Sequence, residues 1–226
     1  MSEPRTLPRP QVPAAGSSLG KFHVTDDTSA ELQDLIDRLR GGDDSARRAL
    51  LQRAHDRLLR IAATIFKEDF PGLRGRHELE SVVNDVWIRL SGALVSVHPE
   101  TVDGFFGLVF QKVRHVLLDM AARQRRDDRR GHSLAMNASD PESRVAADPS
   151  DTTDEPTRLA ALTEFHRQVE KLPDDERAVF ELHYYGEFSQ AEIAQIRQTH
   201  AKQVSRLWLA ATRRLARWLE TFDAAF

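Results

Sequence analysis

The chain has no cysteine among its 226 residues, so it can hold neither a disulfide framework nor a thiolate zinc site, and a reducing cytoplasm is its simplest home. No apolar run approaches the roughly 18 residues that a membrane helix needs. There is no strand-like alternation, no internal repeat of fixed period, no HExxH pair and no Gly-rich phosphate loop. No catalytic site, metal or cofactor is therefore expected, and His77, Glu78 and Glu80 read as surface residues. The first stretch, MSEPRTLPRPQVPAAGSSLGKFHV, lacks the compact apolar core of a signal peptide; residues 1–28 read as a disordered tail.

What is present is helical periodicity and segregated charge. The formal net charge is only -3, which excludes a generally basic nucleic-acid coat. Residues 112–126, however, hold five Lys or Arg against one Asp, whereas 127–157 hold eight Asp or Glu against three Arg. The basic segment and the acidic one are distinct parts. Being rich in Ser, Asp and Pro and poor in large apolar residues, 127–157 reads as a flexible linker.

Before that linker, apolar spacing predicts four helices. The first covers 29–40, with Leu32, Leu35, Ile36 and Leu39 on one face and Gly41-Gly42 as its stop. A second is capped by Asp43 or Asp44 and runs to about Lys67, carrying Leu50, Leu51, Ala54, Leu58, Ile61, Ala62 and Ile65. A third spans 78–90 with an acidic outer face, and a loop is expected over 91–102. Asp103 is the expected cap of a long helix over 104–126, whose inward row includes Phe105, Phe106, Val109, Val113, Val116, Leu117 and Met120 and whose last turns are basic. The two Phe continue that apolar row and read as core. Helices resume at 156 or 157 and continue to the C-terminus.

The C-terminal stretch is the most informative. Ser189-Gln190-Ala191-Glu192 fits a capping box, which starts a short helix with Ala191, Ile193, Ala194 and Ile196 on its apolar face. A polar break at 197–200 leads into a second helix carrying Val204, Leu207, Trp208 and Ala211. Two short helices across a tight turn make a helix-turn-helix. Residues 197–217 contain six Lys or Arg and no carboxylate, which suits contact with phosphate. A capping box alone merely starts a helix, and a basic helix end alone complements the helix dipole; the second basic segment upstream is what favours DNA.

This order of parts resembles RNA polymerase sigma factors of the sigma-70 family, in the extracytoplasmic-function (ECF) group. ALLQRAHDRLLRIAATIF (49–66) and ELESVVNDVWIRL (78–90) are similar to the first helices of the family's region 2, and FFGLVFQKVRHVLLDMAARQRR (105–126) to its promoter-reading and melting helix. LPDDERAVFELHYYGEFSQAEIAQI followed by VSRLWLAATRRL is similar to region 4. The resemblance implies an all-α chain: a tail over 1–28, a region 2-like domain over 29–126, the acidic linker over 127–157 and a region 4-like domain over 158–226.

It also implies a function without an active site: binding core RNA polymerase, recognising the minus-10 and minus-35 promoter elements, opening DNA and so initiating transcription. Glu80, Asn84, Asp85 and Arg89 would face polymerase, whose clamp coiled coil and flap are the expected docking points. Lys112, Arg114, His115, Arg123, Arg125 and Arg126 would meet the minus-10 element, and the loop over 91–102 would hold a flipped base. His200, Lys202, Gln203 and Arg206 would meet base edges at minus-35, with Arg213, like Arg214 and Arg217, placed for the backbone or solvent. An anti-sigma factor or a DNA-bound targeting partner fits the same scheme. The chain departs from the family at the turn, where Arg197-Gln198-Thr199 stands in place of an apolar residue, Gly and another apolar residue; the turn must then be made by a residue less willing than Gly to take positive φ, and the two helices lose the apolar pair that locks them. The competing reading is a transcriptional regulator that binds a palindromic duplex as a homodimer.

Overall fold

The computed structural model describes residues 26–137 and 154–223; the expected tail through residue 25 and the stretch 138–153 of the expected linker lie outside the described residues. Every regular element among the described residues is a helix, so the fold is all-α.

Helix α1 (Asp26–Arg40) buries Leu32, Ile36 and Leu39, spaced four and three residues apart. It ends where Gly42 adopts φ 90°, and the amides of Gly42 and Asp43 close on the carbonyls of Leu39 and Arg38 at 3.1 and 3.0 Å. Asp43 then caps α2 (Asp44–Thr64), its carboxylate accepting from the Ser45 amide at 2.9 Å. After Thr64 the chain widens into one π-helical turn, Ile65–Asp69, before a 3-10 turn at Pro71–Leu73. That widening buries Asp69 beside Ile65 and Phe66, which a regular helix through Lys67 did not anticipate.

Several expected boundaries are corrected: α1 begins at Asp26, inside the expected tail, a helix begins at Asp154, inside the expected linker, and the two middle helices differ as follows. Helix α3 (Leu79–Ser96) does not stop at Leu90, because Leu94 extends its buried row by another turn. The expected loop over 91–102 is therefore reduced to residues 97–101. Helix α4 (Val102–Asn137) is capped by Thr101, whose Oγ1 accepts from the Gly104 amide at 3.1 Å, and not by Asp103. It also continues beyond Arg126, so the start of the expected linker is helical. Phe105 and Phe106 are buried, as expected.

The remaining elements are α5 (Asp154–Glu170), α6 (Asp174–Tyr184), α7 (Gln190–Ile196) and α8 (Ala201–Asp223). Helices α1 to α4 pack in succession as a bundle, and α8 lies against α6 and α7. The two groups meet where α5 and α6 pack on α4, and one apolar cluster passes through both. Phe106 touches Phe188 with ring centres 5.3 Å apart, and Phe110 lies 6.0 Å from Tyr185. Each such fully buried side chain contributes about 1.5–3 kcal/mol relative to exposure.

Candidate nucleic-acid interface

The capping box forms at α7. Ser189 Oγ accepts from the Glu192 amide at 3.3 Å, while Glu192 Oε2 accepts from the Ser189 amide at 2.8 Å. The turn that follows is made without glycine. Gln198 takes φ 49°, its amide donates to the Gln195 carbonyl at 3.1 Å, and the Thr199 amide donates to the Ala194 carbonyl at 2.8 Å. These are the two bonds of a Schellman stop, so the absent glycine changes the cost of the turn without removing it. Arg197 leaves the turn sideways: its guanidinium lies 3.0 Å from Asp103 at the start of α4 and 2.6 Å from Asp175 on α6.

Helix α8 is strongly two-sided. Val204, Ala211 and Leu215 are buried, Trp208 stacks on Phe180 with ring centres 5.5 Å apart, and Ser205 Oγ donates to Gln190 Oε1 on α7 at 2.5 Å. The opposite face presents Lys202, Arg206, Leu209 and Arg213, all exposed and spaced four, three and four residues apart. His200 is exposed just ahead of this stripe and Gln203 is half-buried beside it. Arg214 points elsewhere, with its Nε 2.8 Å from Glu176. A rigid helix with a row of cations and no carboxylate among them is suited to phosphate and to base edges.

The basic residues of α4 are distributed differently. Arg123 and Arg126 are exposed; Lys112, His115 and Arg125 are half-buried. Arg114 is only 2% exposed, and its Nη1 donates to Glu181 Oε1 of α6 at 2.6 Å. Burial pushes the Arg114 guanidinium down, but the carboxylates of Glu181 and Glu170 more than offset this and hold it above its ordinary value. His115 Nε2 is 3.2 Å from Glu170 Oε1, and Arg125 Nη2 donates to Thr163 Oγ1 at 3.1 Å, both on α5. On α3, Glu80 and Asn84 are exposed and Asp85 and Arg89 half-buried, with Arg89 held 2.8 Å from Asp119 of α4. Ile88, between these polar residues, is 60% exposed.

The family model for ECF sigma factors matches residues 29–221. The chain belongs to the ECF sigma factor family. A search of curated proteins found no match. Among solved structures, one described as "Structure of CnrH in complex with the cytosolic domain of CnrY" is similar at 19% identity, covering 84% of this chain and 98% of that chain, with a TM-score of 0.34. No helix among the described residues of this sigma factor is long and apolar enough to cross a membrane.

Sequence reasoning missed the polar groups that join the two helical groups of this sigma factor. Arg57 of α2 donates from Nη2 to the Gly186 carbonyl at 2.5 Å and lies 3.7 Å over the Phe188 ring. Burial lowers its pKa to about 10, which leaves it charged at neutral pH. Thr64 Oγ1 donates to Glu187 Oε1 at 3.2 Å. Gly186 is required here, because a Cβ would stand 2.6 Å from the Leu182 carbonyl oxygen and 2.7 Å from the Phe188 ring.

Deeper in the contact, Tyr184 donates to Asp69 Oδ1 at 3.0 Å, and His166 Nδ1 is 2.9 Å from the Tyr185 hydroxyl. His166 stacks on Phe70 with ring centres 4.9 Å apart. Burial pushes Asp69 up to about 7 and His166 down to about 3. The 3.5 Å approach of His166 Nε2 to Asp69 Oδ2 is thus a meeting of a neutral ring with a half-protonated acid near neutral pH, not an ion pair.

Proposed function

We propose that this ECF sigma factor binds core RNA polymerase, places it on promoters and helps to open the DNA, with α8 reading the minus-35 element and α4 the minus-10 element. The observation that carries this reading is the exposed stripe of Lys202, Arg206 and Arg213 on a helix braced from behind by α6 and α7. Residues at the N-terminal end of such a helix are best placed for base edges, so Lys202, Gln203 and Arg206 with His200 form the base-facing set and Arg213 a backbone contact. Lys and Arg suit guanine, and Gln suits adenine. Lys112, Arg114, His115, Arg123, Arg125 and Arg126 are the minus-10 set.

Glu80, Asn84, Asp85 and Arg89 form the polymerase-facing set, directed at the clamp coiled coil. In this reading 29–126 and 158–226 are the working halves, with 127–157 between them. The chemistry belongs to polymerase, the chain works in the cytoplasm, and an anti-sigma factor or targeting partner acts on the same surfaces.

Binding of the purified chain to core polymerase tests the reading. The wild type should form a stable complex, and Asp85→Lys should weaken it about tenfold or more while leaving the thermal unfolding midpoint unchanged, as expected for a surface charge. A chain that ignores polymerase but forms a homodimer on palindromic duplex DNA would be a conventional regulator instead.

A further inference from the structure

Helix α4 does not end where its apolar row ends. It runs on from Arg126 to Asn137, and the first part of this continuation is two-sided. At about 100° per residue, Arg123, Arg125, Arg126, Arg129 and Arg130 fall within one arc of about 160°. The opposite side holds Gln124, Asp127 and Asp128. Two of these are tied down: Gln124 Nε2 donates to the Gly72 carbonyl at 3.0 Å, and Asp128 lies 2.6 Å from Arg76. Both ties run to the segment ahead of α3, so they fix the rotation of α4 and turn its arginines away from that segment.

Little of this positive charge is used within the protein. Arg123, Arg126, Arg129 and Arg130 are exposed, and Arg125, half-buried, donates to the neutral hydroxyl of Thr163. The carboxylates nearest in sequence are engaged elsewhere, Asp119 with Arg89 and Asp128 with Arg76. Like charges three and four residues apart oppose a helix. The Arg125 guanidinium is pushed down by burial first and then by the cations of Arg167 and Arg129. Such crowding is relieved by an anion from outside the chain.

From Arg123 to Arg130 the helix rises about 10 Å, close to three base-pair steps of about 3.4 Å, so the row can follow one phosphate strand. Spread over nearly half of the helix circumference, the five arginines cannot all face one groove floor. A curved backbone fits the arc better. In the reading above, α4 begins beside the loop that would hold a flipped base, so its C-terminal end is directed at DNA that stays paired.

Resting on the sigma-factor reading above, we propose that this arc is a sequence-independent clamp on the duplex beside the minus-10 element, on the side toward minus-35, with Arg129 and Arg130 adding phosphate contacts beyond the segment 105–126. Arg123 and Arg126 join the clamp to the promoter-reading part of α4. The clamp reads no bases; it sets how tightly a promoter is held whatever sequence separates the two elements.

The test uses the full chain in complex with core polymerase, on promoters recovered by run-off transcription from a genomic library. Arg129→Ala with Arg130→Ala should leave the thermal unfolding midpoint and polymerase binding unchanged, because both side chains are exposed. Promoter binding should weaken equally on promoters with unrelated spacers, and the slope of log K against log salt should fall by about 1.8, the worth of two phosphates. In a second arm, about four spacer phosphates next to the minus-10 element are replaced by uncharged methylphosphonates. Wild type should then weaken and lose the same slope, while the double variant should scarcely respond.

A double variant that keeps the wild-type slope, or modified DNA that weakens both proteins alike, would overturn the proposal and leave the sigma-factor reading intact. A wild-type chain that forms no promoter complex with polymerase would remove that reading and the proposal with it.

Discussion

The guanidinium of Arg57 lies 3.7 Å over the Phe188 ring while its Nη2 donates to the carbonyl of Gly186, so one cation of α2 grips the turn that leads into the helix-turn-helix. The hydrogen bond from a charged donor contributes about 1.5–3 kcal/mol, and a partly desolvated cation over a ring about 1–2 kcal/mol. Arg57→Ala should therefore lower stability by about 2–4 kcal/mol in urea unfolding. Arg57→Lys should recover less than half of this, because an ammonium cannot lie flat on the ring while meeting the carbonyl. A loss below about 0.5 kcal/mol for Arg57→Ala would show that the grip is incidental.

Gln198 holds φ 49° in the turn between α7 and α8. A left-handed backbone costs a non-glycine residue about 1–2 kcal/mol, while glycine carries about 0.5–1 kcal/mol of extra chain entropy. Gln198→Gly should accordingly be neutral or slightly stabilising. Gln198→Val, β-branched and crowded at this φ, should lower the unfolding midpoint clearly, by an energy of about 1–3 kcal/mol. Equal stability of the Gly and Val variants would contradict the geometry of the stop.

Asp69 and His166 pull stability in opposite directions with pH. Asp69 is raised from 3.8 to about 7 by burial, with Glu68 adding to the shift and the Tyr184 hydroxyl opposing it; the folded state thus holds this proton more tightly, and its ionisation costs stability as pH rises from about 4 to 7. His166 is lowered from 6.5 to about 3 by burial and then by Arg114, so the folded state rejects this proton and stability falls as pH drops from about 6.5 toward 3. Over the shared window the two slopes offset. Asp69→Asn, which can still accept from Tyr184, removes one of them. It should be more stable than wild type at pH 8, by up to about 4 kcal/mol, and should lose that advantage by pH 4. Urea unfolding at the two pH values checks this, and a variant weaker than wild type at pH 8 would contradict it.

The local devices were legible because they depend on neighbours in sequence. The Asp43 cap, the stop at Gly42, the Ser189 and Glu192 capping box and the non-glycine turn all follow from residues a few positions apart. Helix boundaries were misjudged at α3, which Leu94 alone extends, and at α4, which Thr101 caps two residues ahead of Asp103 and which runs on past Arg126. The π-helical turn at 65–69 adds a residue that periodicity does not reveal.

The buried polar groups left a faint trace. Arg114 falls in the row Phe110, Leu117 and Ala121, and His166 in the row Leu159, Leu162 and Val169, so each stands where an apolar side chain belongs. A row identifies a face, not its partner. Arg114 meets Glu181 across 67 residues of chain, and only the tertiary packing of α6 on α4 brings them together. The exposed stripe of α8, by contrast, needed only the spacing of Lys202, Arg206 and Arg213.

On DNA, Lys202 and Arg206 are expected to act differently from Arg213. Lys202→Ala or Arg206→Ala should cost about 1–3 kcal/mol at one or two positions of the recognised element and relax its sequence preference there. Arg213→Ala should weaken all sequences alike and reduce the salt dependence of binding by about one phosphate. Binding selections on randomised duplexes distinguish the two, and uniform losses for Lys202 and Arg206 would assign them to phosphates as well.

The most direct test is run-off transcription by purified bacterial core polymerase on a genomic promoter library, with and without this chain. The account predicts transcripts that depend on the chain and share two spaced upstream elements, the more distant one changed by Lys202 and Arg206 variants. Polymerase that gains no promoter selectivity from the chain would contradict it.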